Sequence, residues 1–322
     1  MVTRAALVLA GGKARRFQTP KQNWQDKALV LFEGKPFLIH VVESVACGVD
    51  EVIVCVDNKT RKESYLKILE KYNLHAKIVI DEKTNVGGPN RAVLTGLKAT
   101  QTDLCLTIPC DMPFVKPNIV ESLFNSAEHF DAVMPMWPNG KLETLLMVLK
   151  CSIGLEIVQT LCQLGRSHAD DIPRAAPKTL LTSPLKNIKN LDPKLESFIN
   201  INTKEDLKKL QTRNTQGLIQ ENIQLHQEAV LVSDLQLIRE AVEMRQKNDF
   251  AGVQEKFDLC KKHFESCHNF FWAALACEWK GEFSDAANNY GNEAKIYEKN
   301  HCTQLLKRAF SDKNRCESII QQ

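Results

Sequence analysis

Up to about residue 210 the chain alternates two kinds of hydrophobic pattern. Short, almost wholly apolar runs rich in Val, Ile and Leu occupy 5–10, 51–56, 76–80, 104–108 and 132–136. Runs without polar alternation suit strands covered on both faces. Between them, apolar residues recur every three to four positions. Ile39, Val42 and Val45 form one stripe of 37–46, with Pro36 suited to a first helical turn. Tyr65, Ile68, Leu69 and Tyr72 do the same in 61–72, and 89–97 and 118–124 follow suit. Strand–helix alternation predicts an α/β fold, a doubly wound, mostly parallel sheet with right-handed crossovers. Ligands on such sheets bind beyond the carboxyl ends of the strands.

From about residue 215 the strand pattern is gone, and 224–316 reads as helix without a single proline. An internal match appears at a shift of 33 residues: Lys247, Phe250, Val253 and Phe257 align with Lys280, Phe283, Ala286 and Tyr290, and Phe264 with Tyr297. Helix-pair repeats of the tetratricopeptide type have a period near 34 residues, and the second unit resembles them through Trp272, Leu275, Gly281, Phe283, Ala286 and Tyr290. Two units are too few for a freestanding array, so the segment is expected to pack on the first domain or on a protein partner. The expected domains are 1–212 and an all-α 218–322, joined by a linker at 212–217. The stretch 171–191, with Pro173, Pro177 and Pro184, reads as a long loop or lid near the site.

Composition narrows the class. A chain of 322 residues with 43% hydrophobic and 25% charged residues has room for about two packed domains. A net charge of +3 gives no footprint for nucleic acid or a membrane surface. No apolar run is long enough to span a bilayer, and 5–10 is too short for a signal-peptide core, so a cytoplasmic location is expected. Eleven scattered cysteines without a C-x-x-C read as reduced, structural thiols.

Five short motifs carry the candidate chemistry. Leu9-Ala10-Gly11-Gly12-Lys13, followed by Arg16, stands directly after the first strand. Glycines there let backbone N–H groups approach an anion, and Lys13 and Arg16 add positive charge. The run is neither a dinucleotide fingerprint nor a Walker loop. Asp26-Lys27 follows, an ion pair or a phosphate-binding lysine. After the strand ending at Asp81, Gly87-Gly88-Pro89-Asn90-Arg91 opens a helix whose amides could bind a base edge or a phosphate. Pro109-Cys110-Asp111-Met112-Pro113 ends an apolar strand in a carboxylate between prolines; Mg²⁺, which takes few carboxylates plus substrate phosphates, fits it better than a helix cap does. Last, Asn200 and Asn202 alternate on one face of a short strand before Thr203 and Asp206, which stand at capping-box distance. None of the eight histidines has metal-ligand spacing; His168 beside Asp170 and Asp171 is an acceptor-site candidate.

Together, in this order, the five motifs resemble those of the nucleotidyltransferase family typified by molybdenum cofactor guanylyltransferases, over residues 3–210. The resemblance implies a Rossmann-like nucleotidyltransferase domain in which a phosphorylated acceptor attacks the α-phosphate of a nucleoside triphosphate and pyrophosphate leaves. GTP as donor and molybdopterin as acceptor are the favoured pair, with Mg²⁺ as cofactor. It also implies roles. Leu9, Ala10, Gly11, Gly12, Lys13 and Arg16 cradle the triphosphate. Lys27 neutralises charge between the α- and β-phosphates, and Asp111 holds the metal. Asn58, Asp81 and Gly88 contact base and ribose, and Asn200 and Asn202 orient the acceptor.

One departure keeps alternatives open. Nine residues, not three, separate Arg16 from Asp26, and they include Thr19-Pro20-Lys21-Gln22, which looks like a motif of methylerythritol phosphate cytidylyltransferases. Lys21 therefore rivals Lys27, and CTP rivals GTP. A sugar phosphate, phospholactate or methylerythritol phosphate could be the acceptor, and a catalytically inactive nucleotide-binding scaffold is the reading from another class.

Overall fold

The computed structural model describes residues 2–12, 25–84, 86–203, 205–206, 215–226, 232–247 and 252–321. Ten strands occur among them, eight of them in one mixed sheet. Its parallel half consists of β1 (Arg4–Leu9), β4 (Glu51–Val56), β5 (Lys77–Ile80) and β6 (Leu104–Pro109), ordered β5-β4-β1-β6. The small hairpin β2 (Leu31–Phe32) and β3 (Lys35–Pro36) lies apart. Beyond β6 the sheet continues as β8 (Met147–Lys150), β7 (Ala132–Pro135), β9 (Lys178–Thr182) and β10 (Ile223–His226). β8 and β10 run antiparallel to their neighbours.

Both faces of the central strands are covered, which explains their unbroken apolar sequence. Ala5 and Leu7 of β1 point into one core, and Ala6 and Val8 into the other. Helices α1 (Phe37–Ala46), α2 (Lys59–Lys71) and α4 (Pro117–Asn125) cover the second face, while α3 (Pro89–Ala99) and α5 (Cys151–Gln163) cover the first. The expected strands and helices of this half are found, with ends shifted by at most two residues.

Two expectations fail. The stretch 171–191 is no loop: it holds the short helix α6 (Asp171–Ala175), strand β9, a π turn at Pro184–Ile188 and the single turn α7 (Lys189–Leu191). The prolines misled because Pro173 sits inside a short helix and Pro184 opens a turn. Nor does strand structure end at 215, because β10 pairs along β9 and buries Leu225. The alternation of Ile223, Gln224, Leu225 and His226 is a two-sided edge strand, not helix.

The remainder is helical: α8 (Val232–Gln246), α9 (Val253–Ser266), α10 (Phe270–Lys280), α11 (Phe283–Lys299) and α12 (Thr303–Ile320). Asn269 caps the start of α10 and left-handed Gly281 ends it. Each helix packs on the next, and α8 packs on α5. Phe257, Phe264, Trp272, Tyr290 and Leu305 therefore belong to the same apolar core as Leu7, Leu97 and Leu161 under the first face of the sheet. No helix among the described residues is long and apolar enough to cross a membrane.

Candidate functional site

A cleft of about 590 Å³ opens at the carboxyl ends of the parallel strands. Each strand delivers one element of it: Ala10-Gly11-Gly12 follow β1, Asp57 follows β4, Asp81 follows β5, and Cys110-Asp111 end β6. The Gly87–Pro89 turn, Arg91, Asp26 and Lys27 complete the wall. Four motifs far apart in sequence thus meet because parallel strands end at one pole.

Local chemistry explains each piece. Gly11 runs so close to its neighbours that a Cβ there would lie 3.1 Å from both the Asp57 nitrogen and Asp81 Oδ2. Gly88 has φ +81°, and a Cβ would meet the Ser167 carbonyl at 2.6 Å, so only glycine fits this turn. Pro89 then takes the first position of α3. Asp26 caps the 3₁₀ turn Lys27–Leu29 by accepting from Ala28 N at 3.2 Å.

The centre of the cleft is Lys27. Its Nζ donates to Asp111 Oδ2 and, at 3.0 Å, to Asn202 Oδ1. The segment bearing Asn202 is not a strand, but it runs beside the end of β6, with Ile201 N donating to Asp111 O at 3.0 Å. Ile199 and Ile201 bury themselves against Val30 and Phe37, which leaves Asn200 and Asn202 on the opposite side. Asp206 Oδ2 accepts from Asn202 N and Thr203 N at 2.7 and 2.8 Å, and Asp206 N donates to Thr203 Oγ1 at 3.2 Å. This is the reciprocal capping pattern, and it sets the angle at which Asn202 meets Lys27.

Asp111 is not a helix cap, since α4 begins only at Pro117. Its Oδ2 serves Lys27, and Oδ1 has no partner among the described residues. One half-buried carboxylate with a spare oxygen, facing a glycine turn, fits Mg²⁺ that is completed by substrate phosphates and water. Asp81 is different. Its side chain is 4% exposed, and among the described residues Oδ1 is buried without a partner and Oδ2 has only a long contact of 3.4 Å from Arg91. Burial pushes its carboxyl up to about 6, with Arg91 pulling weakly the other way.

Several expectations change. Asn58 does not face the cleft: it caps α2, accepting from Arg61 N at 2.9 Å, while its amide donates to Asp57. Asp57 takes its place in the wall. Asn200 does not join Asn202 at Lys27; its amide reaches Glu143 at 3.5 Å, and Glu143 also accepts from Trp137 Nε1 at 2.7 Å. The side chain of the candidate His168 is exposed and its carbonyl accepts from Asn90, while the nearby Asp171 is buried among arginines. Lys13, Arg16 and the rival Lys21 lie outside the described residues.

Arg61 is the residue that sequence reasoning missed. At 5% exposure it donates to Asp26 at 3.0 Å, to Asp57 at 3.0 Å and to the Gly12 carbonyl at 3.0 Å, and so ties three motifs together. Tyr65, one turn on, donates to Asp26 at 3.0 Å. An arginine in the first turn of a helix, where cations are disfavoured, was the available signal.

Comparison with known proteins agrees with this geometry. The profile of the MobA-like NTP transferase domain matches residues 6–179. A probable molybdenum cofactor guanylyltransferase of Methanosarcina acetivorans is 34% identical over 210 residues, covering 65% of this chain and 90% of that protein. Its counterpart in Methanosarcina mazei is 32% identical over 207 residues, covering 64% and 89%. Among solved structures, molybdopterin-guanine dinucleotide biosynthesis protein A from Archaeoglobus fulgidus superposes with a TM-score of 0.52 at 22% identity, covering 64% of this chain and 95% of that one; this shows the shared fold. A glycine turn, a lysine–aspartate–asparagine centre and the matching profile lead to one conclusion: this chain belongs to the family of MobA-like NTP transferases, with a helical region added after the family's domain.

Proposed function

We propose that this protein transfers GMP from GTP to molybdopterin, with Mg²⁺ and with release of pyrophosphate. The observation that carries the reading is Lys27 bridging Asp111 and Asn202 across the cleft from Gly11 and Gly12. A cation between a metal-ready carboxylate and an amide, opposite a glycine turn, suits a polyphosphate and a second phosphate. The curated relatives carry the guanylyltransferase name, which supports the donor and acceptor.

The chain's own residues do the following. The glycine turn holds the phosphate oxygens, with Lys13 and Arg16 assigned to the same task. Asp111 would hold the metal, which supplies charge neutralisation when bound. A phosphate oxygen of the acceptor attacks the α-phosphorus, and the bond to the bridging oxygen breaks. Lys27 stabilises the charge that builds on that oxygen as pyrophosphate departs. Asn202 holds Lys27 in place. No general base is needed, because the attacking phosphate is already ionised.

Asp81 supports guanine over cytosine. Guanine presents adjacent N–H donors on its pairing edge, and the Asp81 carboxylate in the cleft wall would accept them. Cytosine presents acceptors at the corresponding positions and would be repelled. The tetratricopeptide reading of α9–α12 also remains our proposal, supported by the burial of the matched residues Phe257 with Tyr290 and Phe264 with Tyr297.

The test is to incubate the full chain with Mg²⁺, molybdopterin and either GTP or CTP, and to follow pyrophosphate and the dinucleotide product. GTP-dependent formation of both is expected. Turnover with CTP, or only with a sugar phosphate, phospholactate or methylerythritol phosphate, would assign the other substrate pair. Nucleotide binding without any turnover would favour the inactive scaffold.

A further inference from the structure

The helical region touches the sheet unit through a buried charge cluster that ends at the nucleotide cleft. Asp312 of α12 is 5% exposed and Arg166, just after α5, is 9% exposed. Arg166 donates to Asp312 through Nη1 at 3.1 Å and Nη2 at 2.5 Å, and to Asp171 at 3.2 and 3.0 Å. Arg174, fully buried, joins the same acids and donates to Glu293 of α11 through two bonds of 2.7 Å. The Arg174 guanidinium also lies 4.2 Å from the ring of Phe271 on α10. These are planar, forked contacts with little freedom to slide.

The other end of this cluster is the backbone of 166–168. The carbonyls of Arg166 and His168 both accept from Asn90 Nδ2, at 3.1 and 3.0 Å. The carbonyl between them, of Ser167, is the atom against which Gly88 is packed. Asn90 is fully buried, and Gly88, Pro89 and Arg91 around it line the cleft. Three consecutive residues therefore fix the turn from outside, and the side chain of the first is held by α12. The start of the same helix is anchored independently: Gln304 Oε1 accepts from Leu142 N at 2.9 Å, and Gln304 N donates to the Gly140 carbonyl at 3.1 Å.

We propose that Asp312 is a positioning residue for nucleotide binding: through Arg166 it sets the 166–168 backbone, and through Asn90 and Gly88 it sets the turn that receives the nucleotide. The helical region is then a built-in brace of the cleft, not an independent module. This rests on the reading of the cleft as a nucleotide site. The arrangement acts on the bound nucleotide and not on phosphoryl transfer, because Lys27 and Asp111 are held by β6 and the Asn202 segment, which the cluster does not touch.

The full chain carrying Asp312→Asn tests this, with Asp312→Glu and Arg166→Lys beside it and Lys261→Ala as a control. Lys261 pairs with Glu282 and Asp285 within the helices, away from Arg166. Direct titration with GTP and with CTP gives affinities, and steady-state kinetics separates KM from kcat. Asp312→Asn should weaken binding of the preferred nucleotide roughly five- to tenfold and raise its KM equally, with kcat and the acceptor KM unchanged. Asp312→Glu should recover part of the loss, and Lys261→Ala should change none of these even where it lowers Tm. If Asp312→Asn does not fold, Arg166→Lys, which keeps the charge but loses the fork, carries the test and should weaken binding to a smaller degree. A folded variant that binds within twofold of the unaltered chain, or a fall in kcat with KM unmoved, overturns the brace. An unaltered chain that binds neither nucleotide overturns the reading of the cleft, and the brace with it.

Discussion

Replacing Asp81 by Asn isolates the base-recognition step. The substitution keeps the shape of the side chain, so the packing of Gly11, where a Cβ would come within 3.1 Å of Asp81 Oδ2, is undisturbed. It removes a charge whose side chain is 4% exposed and whose Oδ1 has no partner among the described residues, and it turns part of an acceptor into a donor where guanine presents N–H groups. A hydrogen bond to a charged group is worth about 1.5–3 kcal/mol, so GTP binding should weaken roughly 10- to 150-fold at pH 7.5, while CTP binding should strengthen as the repulsion of its acceptors is relieved. The pH dependence gives a second reading. The folded carboxyl titrates at about 6, raised from 3.8 by burial. Below that pH it takes up a proton and loses its acceptor, so GTP affinity should fall as pH drops through about 6. The Asn variant should lack this component, and the titration of the triphosphate itself cancels in the ratio of the two proteins. Stability runs the opposite way. A carboxyl with a raised folded pKa opposes folding when ionised, an effect fully present above about pH 6 and relieved as pH falls toward 3.8. Without nucleotide, the Asn variant should therefore be no less stable than the unaltered chain at pH 7.5. Calorimetric titration between pH 5.5 and 8, with thermal melts of the apo protein, measures all three. Unchanged GTP affinity in a folded Asn variant, or an identical pH profile, would refute the role given to Asp81.

Three further outcomes are expected. Asp111→Asn should leave the fold intact and lower Mg²⁺-dependent pyrophosphate release at least about 100-fold; normal turnover across a Mg²⁺ titration would remove Asp111 from the metal site. Arg61→Ala leaves Asp26 and Asp57 without their shared cation and should cost about 3–5 kcal/mol in denaturant unfolding, because those carboxylates stay largely buried; a loss under about 1 kcal/mol would mean the clamp is dispensable. A chain ended at residue 211 loses β10 and the helices that share the core with α5, so it should aggregate or melt without cooperativity; a sharp transition with intact nucleotide binding would show that the helices are dispensable after all.

The parallel half was legible because its signals are local. Val52, Ile53 and Val54 must form a doubly covered strand wherever they stand, and Gly88-Pro89 marks a helix start from backbone rules alone. The residues of the cleft were readable for a related reason: a carboxylate such as Asp111, placed where an apolar strand ends, has no structural use that a cheaper residue would not serve. By the same logic, Gly11 and Gly12 after β1 and Asn202 before its capping pair stood out.

What the sequence could not determine were matters of partnership between distant segments. Asn58 and Asp57 are equally polar neighbours, and only the start of α2 decides that Asn58 caps while Asp57 lines the cleft. Arg61 reads as one charge on a helix until folding brings Asp26, Asp57 and the Gly12 carbonyl around it. Ile223–His226 is too short to declare itself a strand; it becomes one because β9 offers an unpaired edge. Asp312 lies 146 residues from Arg166, and no local pattern records that pairing. The period of a helix or strand is set by its own backbone hydrogen bonds, whereas the burial and pairing of charges depend on which surfaces the chain brings together.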